Sequence, residues 1–182
     1  MNINRRTFLS SSLLLSVYAI KPKRLYAKQN NNSSFVLSKN QFAILNKIQN
    51  QLFPKGDDNP SIDEINATEY MQKVLIDELY DKDIRLIIFN GIDKLERQSI
   101  AKYHKSISKL KDENMELLLK EAKEEWAEPF LAMVLLFIFE ALFSDPIYGS
   151  NTNERGWKWI NHQQGQPQPN NNNLYKPLAQ KK

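Results

Sequence analysis

The spacing of apolar residues constrains the fold of this chain more than any other feature. Between Phe42 and Phe143, apolar side chains recur every three or four residues, which is the period of a helix with one buried face. No stretch of useful length alternates apolar and polar residues in the manner of a half-buried strand. The sequence therefore predicts an all-α fold, a compact bundle of about five helices with an N-terminal signal helix and an irregular C-terminal segment.

Capping residues predict where the first two helices begin. Ser38, with a glutamine three residues later, has the spacing of a capping box and predicts a helix over residues 39–52. The same spacing recurs from Ser61 and predicts a second helix that ends near Tyr80.

The following segments have the same helical period. A third helix is predicted from Lys82, and Gly91 inside it has two open interpretations, a close helix crossing or a merely tolerated glycine. A fourth helix is predicted to begin near Asp112, and Pro129 suits the first turn of a fifth.

The fifth predicted helix contains the most apolar run of the chain, residues 130–139. A bilayer span needs about 20 apolar residues, and this run is shorter and is followed by Glu140. We therefore expect a central helix that is apolar all round and is buried among the others or under a partner subunit, rather than a membrane contact.

The first 27 residues have the parts of an export signal. Arg5 and Arg6 form a basic start, Phe8 and Leu9 open an apolar run, and Ala27 is a small residue at the expected cleavage point. The order resembles the twin-arginine signal, which exports folded proteins. We expect a periplasmic protein exported by the twin-arginine translocase. Two alternatives stay open, which are a free periplasmic protein and one held at the inner membrane within a complex, and the signal is either cleaved or retained as an anchor.

Charge and composition exclude several functions. Residues 1–27 hold five Lys/Arg and no acid, so the remainder has 20 Lys/Arg against 21 Asp/Glu and offers no support for nucleic-acid binding. The chain has no cysteine and two histidines, which argues against disulfides, thiol catalysis, cysteine-held cofactors and imidazole-rich metal sites. We expect no catalytic residue, no bound cofactor and no metal in this chain.

Composition also divides the chain. Residues 28–36 are a polar linker, residues 37–160 form the helical domain, and residues 161–182 are rich in Gln, Asn and Pro and are predicted to be disordered or draped over a partner.

A motif near the end of the helical domain combines turn formers with aromatic rings. Aspartate before proline favours a built turn, glycine permits a positive φ, and amphipathic rings suit interfaces. Two interpretations stay open, which are contact with a partner and attachment of this segment to the domain. The candidate interface residues are Asp145, Pro146, Tyr148, Gly149, Asn151, Gly156, Trp157 and Trp159.

This motif, with the twin arginines and the helical body, resembles the gluconate 2-dehydrogenase subunit 3 family, whose members carry a D-P-x-Y-G-G-N stretch followed by G-W-K. Here Ser150 stands at the second glycine, and Asn59-Pro60-Ser61 stands where a P-G-A-like turn is common. The resemblance implies a non-catalytic subunit of a periplasmic sugar or sugar-acid dehydrogenase. Its large subunit would be an FAD-dependent glucose-methanol-choline oxidoreductase, and a cytochrome c subunit with haem c would often accept the electrons.

Two other functions are weighed against this one. The first is a free-standing exported protein that binds a small ligand in its helical core. The second is an enzyme using Glu140 and Asp145 as an acid/base pair, which we discount because five residues across a helix end do not place two carboxylates on one face.

Overall fold

The computed structural model describes residues 35–165, 168–170 and 172–173, all within the compact unit Ser34–Lys182. Across these ranges the chain forms α-helices, short 3-10 turns and loops without a strand, so the all-α prediction is confirmed. The predicted signal helix over residues 1–27, with Arg5, Arg6, Phe8 and Leu9, lies outside the described residues. The helices are α1 (Lys39–Leu52), α2 (Ala67–Ile76), α3 (Lys82–Tyr103), α4 (Asp112–Glu121), α5 (Ala127–Phe143) and α6 (Arg155–Trp159).

The predicted start of α1 is confirmed in detail. The Gln41 N–H donates to Ser38 Oγ at 3.2 Å, and the Ser38 N–H donates to Gln41 Oε1 at 3.1 Å. These two bonds satisfy donors that a helix start otherwise leaves unpaired. Three apolar residues of α1, Ile44, Leu45 and Ile48, are buried in the core.

The predicted bounds of the second helix are wrong at both ends. Ser61 and Glu64 do form reciprocal bonds, but they close a separate turn, and α2 begins only at Ala67. Asn66 lies between this turn and α2 with a φ of 53°, which interrupts the helical path. At the other end α2 stops at Ile76 rather than near residue 80.

α5 is the central helix, and it packs against α1, α2, α3 and α6. Its crossing with α3 is close, because a Cβ added to Gly91 would lie 2.2 Å from the buried Phe130 ring. The structure thus favours the close-crossing interpretation of Gly91.

One side of α5 is open, so the helix is not buried all round within this chain. Leu136 is 43% exposed and Phe143 is 40% exposed. Phe139 lies between them on the same side, and its ring stacks on that of Phe143 with centroids 6.1 Å apart. We call Leu136, Phe139 and Phe143 the outer stripe of α5. None of the helices in the described ranges is long and apolar enough to span a membrane.

Candidate functional site

The segment after α5, residues 144–159, contains all eight predicted interface residues and is called here the C-terminal motif. It opens with the predicted built turn. The Asp145 carboxylate accepts a hydrogen bond from the Ile147 N–H at 2.9 Å, and Pro146 begins a 3-10 turn. Gly149 ends this turn with a φ of 88°, a conformation that L side chains rarely adopt. Asp145, Pro146 and Gly149 therefore build the turn that the sequence predicts.

Asn151 is the most connected residue of the motif. It is fully buried, and its φ of 49° lies in the left-handed region. Its Oδ1 accepts from the Gly156 N–H at 2.7 Å, while its Nδ2 donates to the Ser144 carbonyl oxygen at 3.0 Å. One amide side chain thus joins the end of α5 to the start of α6.

Gly156 and Trp157 bring α6 directly against α5. A Cβ at Gly156 would lie 1.9 Å from the Leu142 carbonyl oxygen, so only glycine fits this backbone approach. The Trp157 indole N–H donates to the Phe143 carbonyl oxygen at 2.8 Å, and the residue is 8% exposed. This indole satisfies a carbonyl that the end of α5 leaves unpaired.

The motif is also tied to the loop that precedes α2. The Asn66 Nδ2 donates to the Gly149 carbonyl oxygen at 3.2 Å and to Thr152 Oγ1 at 3.0 Å. The Asn151 N–H donates to the Ile65 carbonyl oxygen at 3.0 Å. These bonds hold Asn66 in its left-handed conformation, and they explain why α2 starts later than its capping residues predict.

Ser150 replaces the second glycine of the family pattern without a backbone penalty. Its φ is not positive, and its hydroxyl forms a hydrogen bond with the Ser144 hydroxyl. The residue is 1% exposed, so the added side chain is accommodated inside the motif.

The eight predicted interface residues differ in how deeply they are buried. Asn151, Gly156 and Trp157 are buried within the chain, and Trp159 meets the Phe53 ring edge-on with centroids 5.9 Å apart. These contacts attach the C-terminal motif to the helical domain, which is one of the two interpretations left open by the sequence. Asp145, Pro146, Tyr148 and Gly149 are only half-buried. Their contact with a partner stays a prediction.

Glu140 and Asp145 have different partners. Glu140 interacts with the Tyr70 side chain on α2, whereas Asp145 caps its own turn. Burial raises the pKa of Glu140, and the interaction with Tyr70 opposes that rise. Burial, with a smaller effect of the Glu140 charge, raises the pKa of Tyr80 to about 12.

No group of three or more His, Cys, Asp or Glu side chains within them is placed to hold a metal ion. Trp157, Lys158 and His162 contribute to a shallow, open depression at the end of α6.

Arg85 is a feature that the sequence interpretation missed. It is 8% exposed, and its Nε is buried without a hydrogen-bond partner. Its position is readable from the spacing, because Arg85 falls on the helical stripe of Ile88, Ile92 and Leu95, all of which are fully buried. A charged residue on an otherwise apolar helical stripe is the sequence signal that could have indicated a buried arginine.

Comparison with known proteins identifies one family. The model of the family described as gluconate 2-dehydrogenase subunit 3 matches residues 39–165, which cover α1 to α6 and the C-terminal motif. No curated protein and no solved structure matches the chain.

Proposed function

Because this chain belongs to the gluconate 2-dehydrogenase subunit 3 family, we propose that it is the small, non-catalytic subunit of a dehydrogenase complex and escorts the large subunit to the periplasm. The large subunit would be an FAD-dependent oxidoreductase of the glucose-methanol-choline type, and a cytochrome c subunit with haem c would complete the electron path. The observation that carries the proposal is the family match over the whole helical body.

The proposed order of events follows from two parts of the chain, the signal segment and the helical body. A flavoprotein has to fold around its FAD before export, so a route for folded proteins is needed. Arg5 and Arg6 in this chain would supply the signal for both subunits. The helical body would bind the loaded flavoprotein in the cytoplasm, and the two proteins would cross the membrane together.

The outer stripe of α5 is the surface we propose for the flavoprotein contact. Leu136 and Phe143 lie two helical turns apart and present apolar surface to solvent. The stripe ends at the C-terminal motif, since Trp157 donates its indole N–H to the Phe143 carbonyl oxygen. The half-exposed residues Tyr148 and Pro146 would extend the same contact.

The export step is tested by changing Arg5 and Arg6 together to Lys and locating the flavoprotein by cell fractionation. We expect the flavoprotein to stay in the cytoplasm, because lysine keeps the charge but loses the planar fork of arginine. The matched control is Arg24→Lys, an arginine of the same segment outside the twin pair. Unchanged periplasmic flavoprotein in the double variant would refute the escort role.

The contact surface is tested by copurification of the flavoprotein with a tagged full-length chain. Leu136→Asp places a charge on the outer stripe and is expected to abolish copurification. Leu117→Asp is the control, since Leu117 is also exposed, at 49%, but lies on α4. Equal retention of the flavoprotein by both variants would exclude the outer stripe, and no retention by the unaltered chain would exclude the subunit role.

A further inference from the structure

Arg85 on α3 is a buried cation without a counter-charge. Its guanidinium lies under the Phe35 ring, with Cζ 4.4 Å from the ring centroid, and Phe35 meets Phe89 edge-on at 5.5 Å. The guanidinium keeps its charge inside a protein. A cation–π contact offsets only part of the unfavourable burial of an unpaired charge. Among the described residues, the buried guanidinium therefore has no carboxylate side chain to balance its charge.

The chain does not supply the missing carboxylate from its own side chains. Every Asp and Glu lies between Asp57 and Glu154, within the described residues, and the ion pairs found there do not include Arg85. The acid nearest in the preceding sequence, Asp83, is exposed at the start of α3, and Asp81 caps that start through the Asp83 and Ile84 N–H groups. Residues 1–34 and 166–182 contain neither Asp nor Glu.

We infer that Arg85 is the binding site for a carboxylate side chain of the flavoprotein subunit, which enters as Phe35 moves off the guanidinium. The inference rests on the proposed function, because the flavoprotein is the partner it requires. Phe35 suits this role, since it is only half-buried and precedes α1 in a segment without regular secondary structure. The planar guanidinium binds a carboxylate through two parallel hydrogen bonds.

The inference is tested with full-length chains carrying Arg85→Met, which removes the charge and keeps the buried length. Affinity for the FAD-loaded flavoprotein is measured by titration, and the Tm of the subunit alone is measured by circular dichroism. We expect the Kd to rise on the order of 100-fold, because the partner's carboxylate is left buried and unpaired. The Tm of the subunit alone is expected to stay equal or rise, because an unpaired buried charge is removed.

Two further variants make the result specific. Arg97→Met removes an exposed arginine of the same helix, whose Nε–H donates to the Asp93 carbonyl oxygen, and it is expected to leave the Kd unchanged. Arg85→Lys keeps the charge without the fork and is expected to raise the Kd roughly tenfold. It also serves as the test variant if Arg85→Met does not fold.

Three results would overturn the inference. An unchanged Kd for both Arg85 variants would show that no carboxylate binds there. A fall in Tm together with the loss of affinity would show that Arg85 only supports the fold. Saturable binding of sodium acetate or sodium gluconate to the subunit alone, lost in Arg85→Met, would assign the site to a free acid. If the unaltered chain fails to bind the flavoprotein, the proposed function itself fails.

Discussion

Replacing Asn151 by alanine should strongly destabilise the subunit, because its side chain joins the end of α5 to the start of α6. The change removes the acceptor for the buried Gly156 N–H and the donor to the Ser144 carbonyl oxygen. It also leaves alanine at a φ of 49°, where a non-glycine residue without a polar side chain is unfavourable.

The magnitude follows from these three losses. An unpaired buried N–H costs about 1–3 kcal/mol, and the half-buried Ser144 carbonyl about 1 kcal/mol. The left-handed conformation adds about 1 kcal/mol for alanine. The free energy of unfolding should therefore fall by about 3–5 kcal/mol, which lowers the Tm of a domain of this size by about 10 °C or more.

Asn153 provides a matched control for this prediction. Its φ is 56°, close to that of Asn151, but the residue is exposed and its side chain makes no hydrogen bond to the described residues. Asn153→Ala should cost only the backbone part, about 1 kcal/mol. Urea unfolding followed by circular dichroism measures both variants. Equal losses for Asn151→Ala and Asn153→Ala would refute the claim that the buried hydrogen bonds stabilise the motif.

Two further predictions concern α5. Gly91→Ala places a Cβ 2.2 Å from the Phe130 ring and should lower the free energy of unfolding by about 1–3 kcal/mol; in a double-mutant cycle Phe130→Leu should recover part of the loss, and strict additivity would contradict the close crossing. Because burial raises the pKa of Glu140 above 4.5, the folded state binds this proton more tightly, and its contribution to stability falls as pH rises from 4.5 through the raised pKa. Glu140→Gln should therefore gain stability relative to the unaltered chain over that pH range, and a difference independent of pH would contradict this.

The bounds of α1 were predicted correctly, because residues close to the helix ends determine them. The bounds of α1 follow from Ser38, Gln41 and the turn after Leu52, all within a few residues of the helix ends. The start of α2 could not be predicted in the same way. It depends on the left-handed Asn66, whose side chain bonds to Gly149 and Thr152, more than 80 residues away in sequence.

In the candidate site, too, some features depend on nearby residues and others on residues distant in sequence. Asp145, Pro146 and Gly149 predict a turn because each acts on its own backbone or on the next few residues. The roles of Gly156 and Trp157 depend on carbonyl oxygens of α5, which become available only when α6 packs there. Sequence could raise attachment and partner contact as alternatives, but the geometry was needed to assign the attachment role.

The burial of the motif determines which of its residues can report on partner binding. Asn151, Gly156 and Trp157 are enclosed by the chain itself, so a substitution there would weaken a complex by unfolding the end of α5. Tyr148 is half-buried, and Lys73 Nζ donates a hydrogen bond to its backbone carbonyl oxygen at 3.5 Å. A family motif can therefore be required for a complex without touching the partner, and exposed positions on the outer stripe of α5, such as Leu136, are the ones that separate contact from folding.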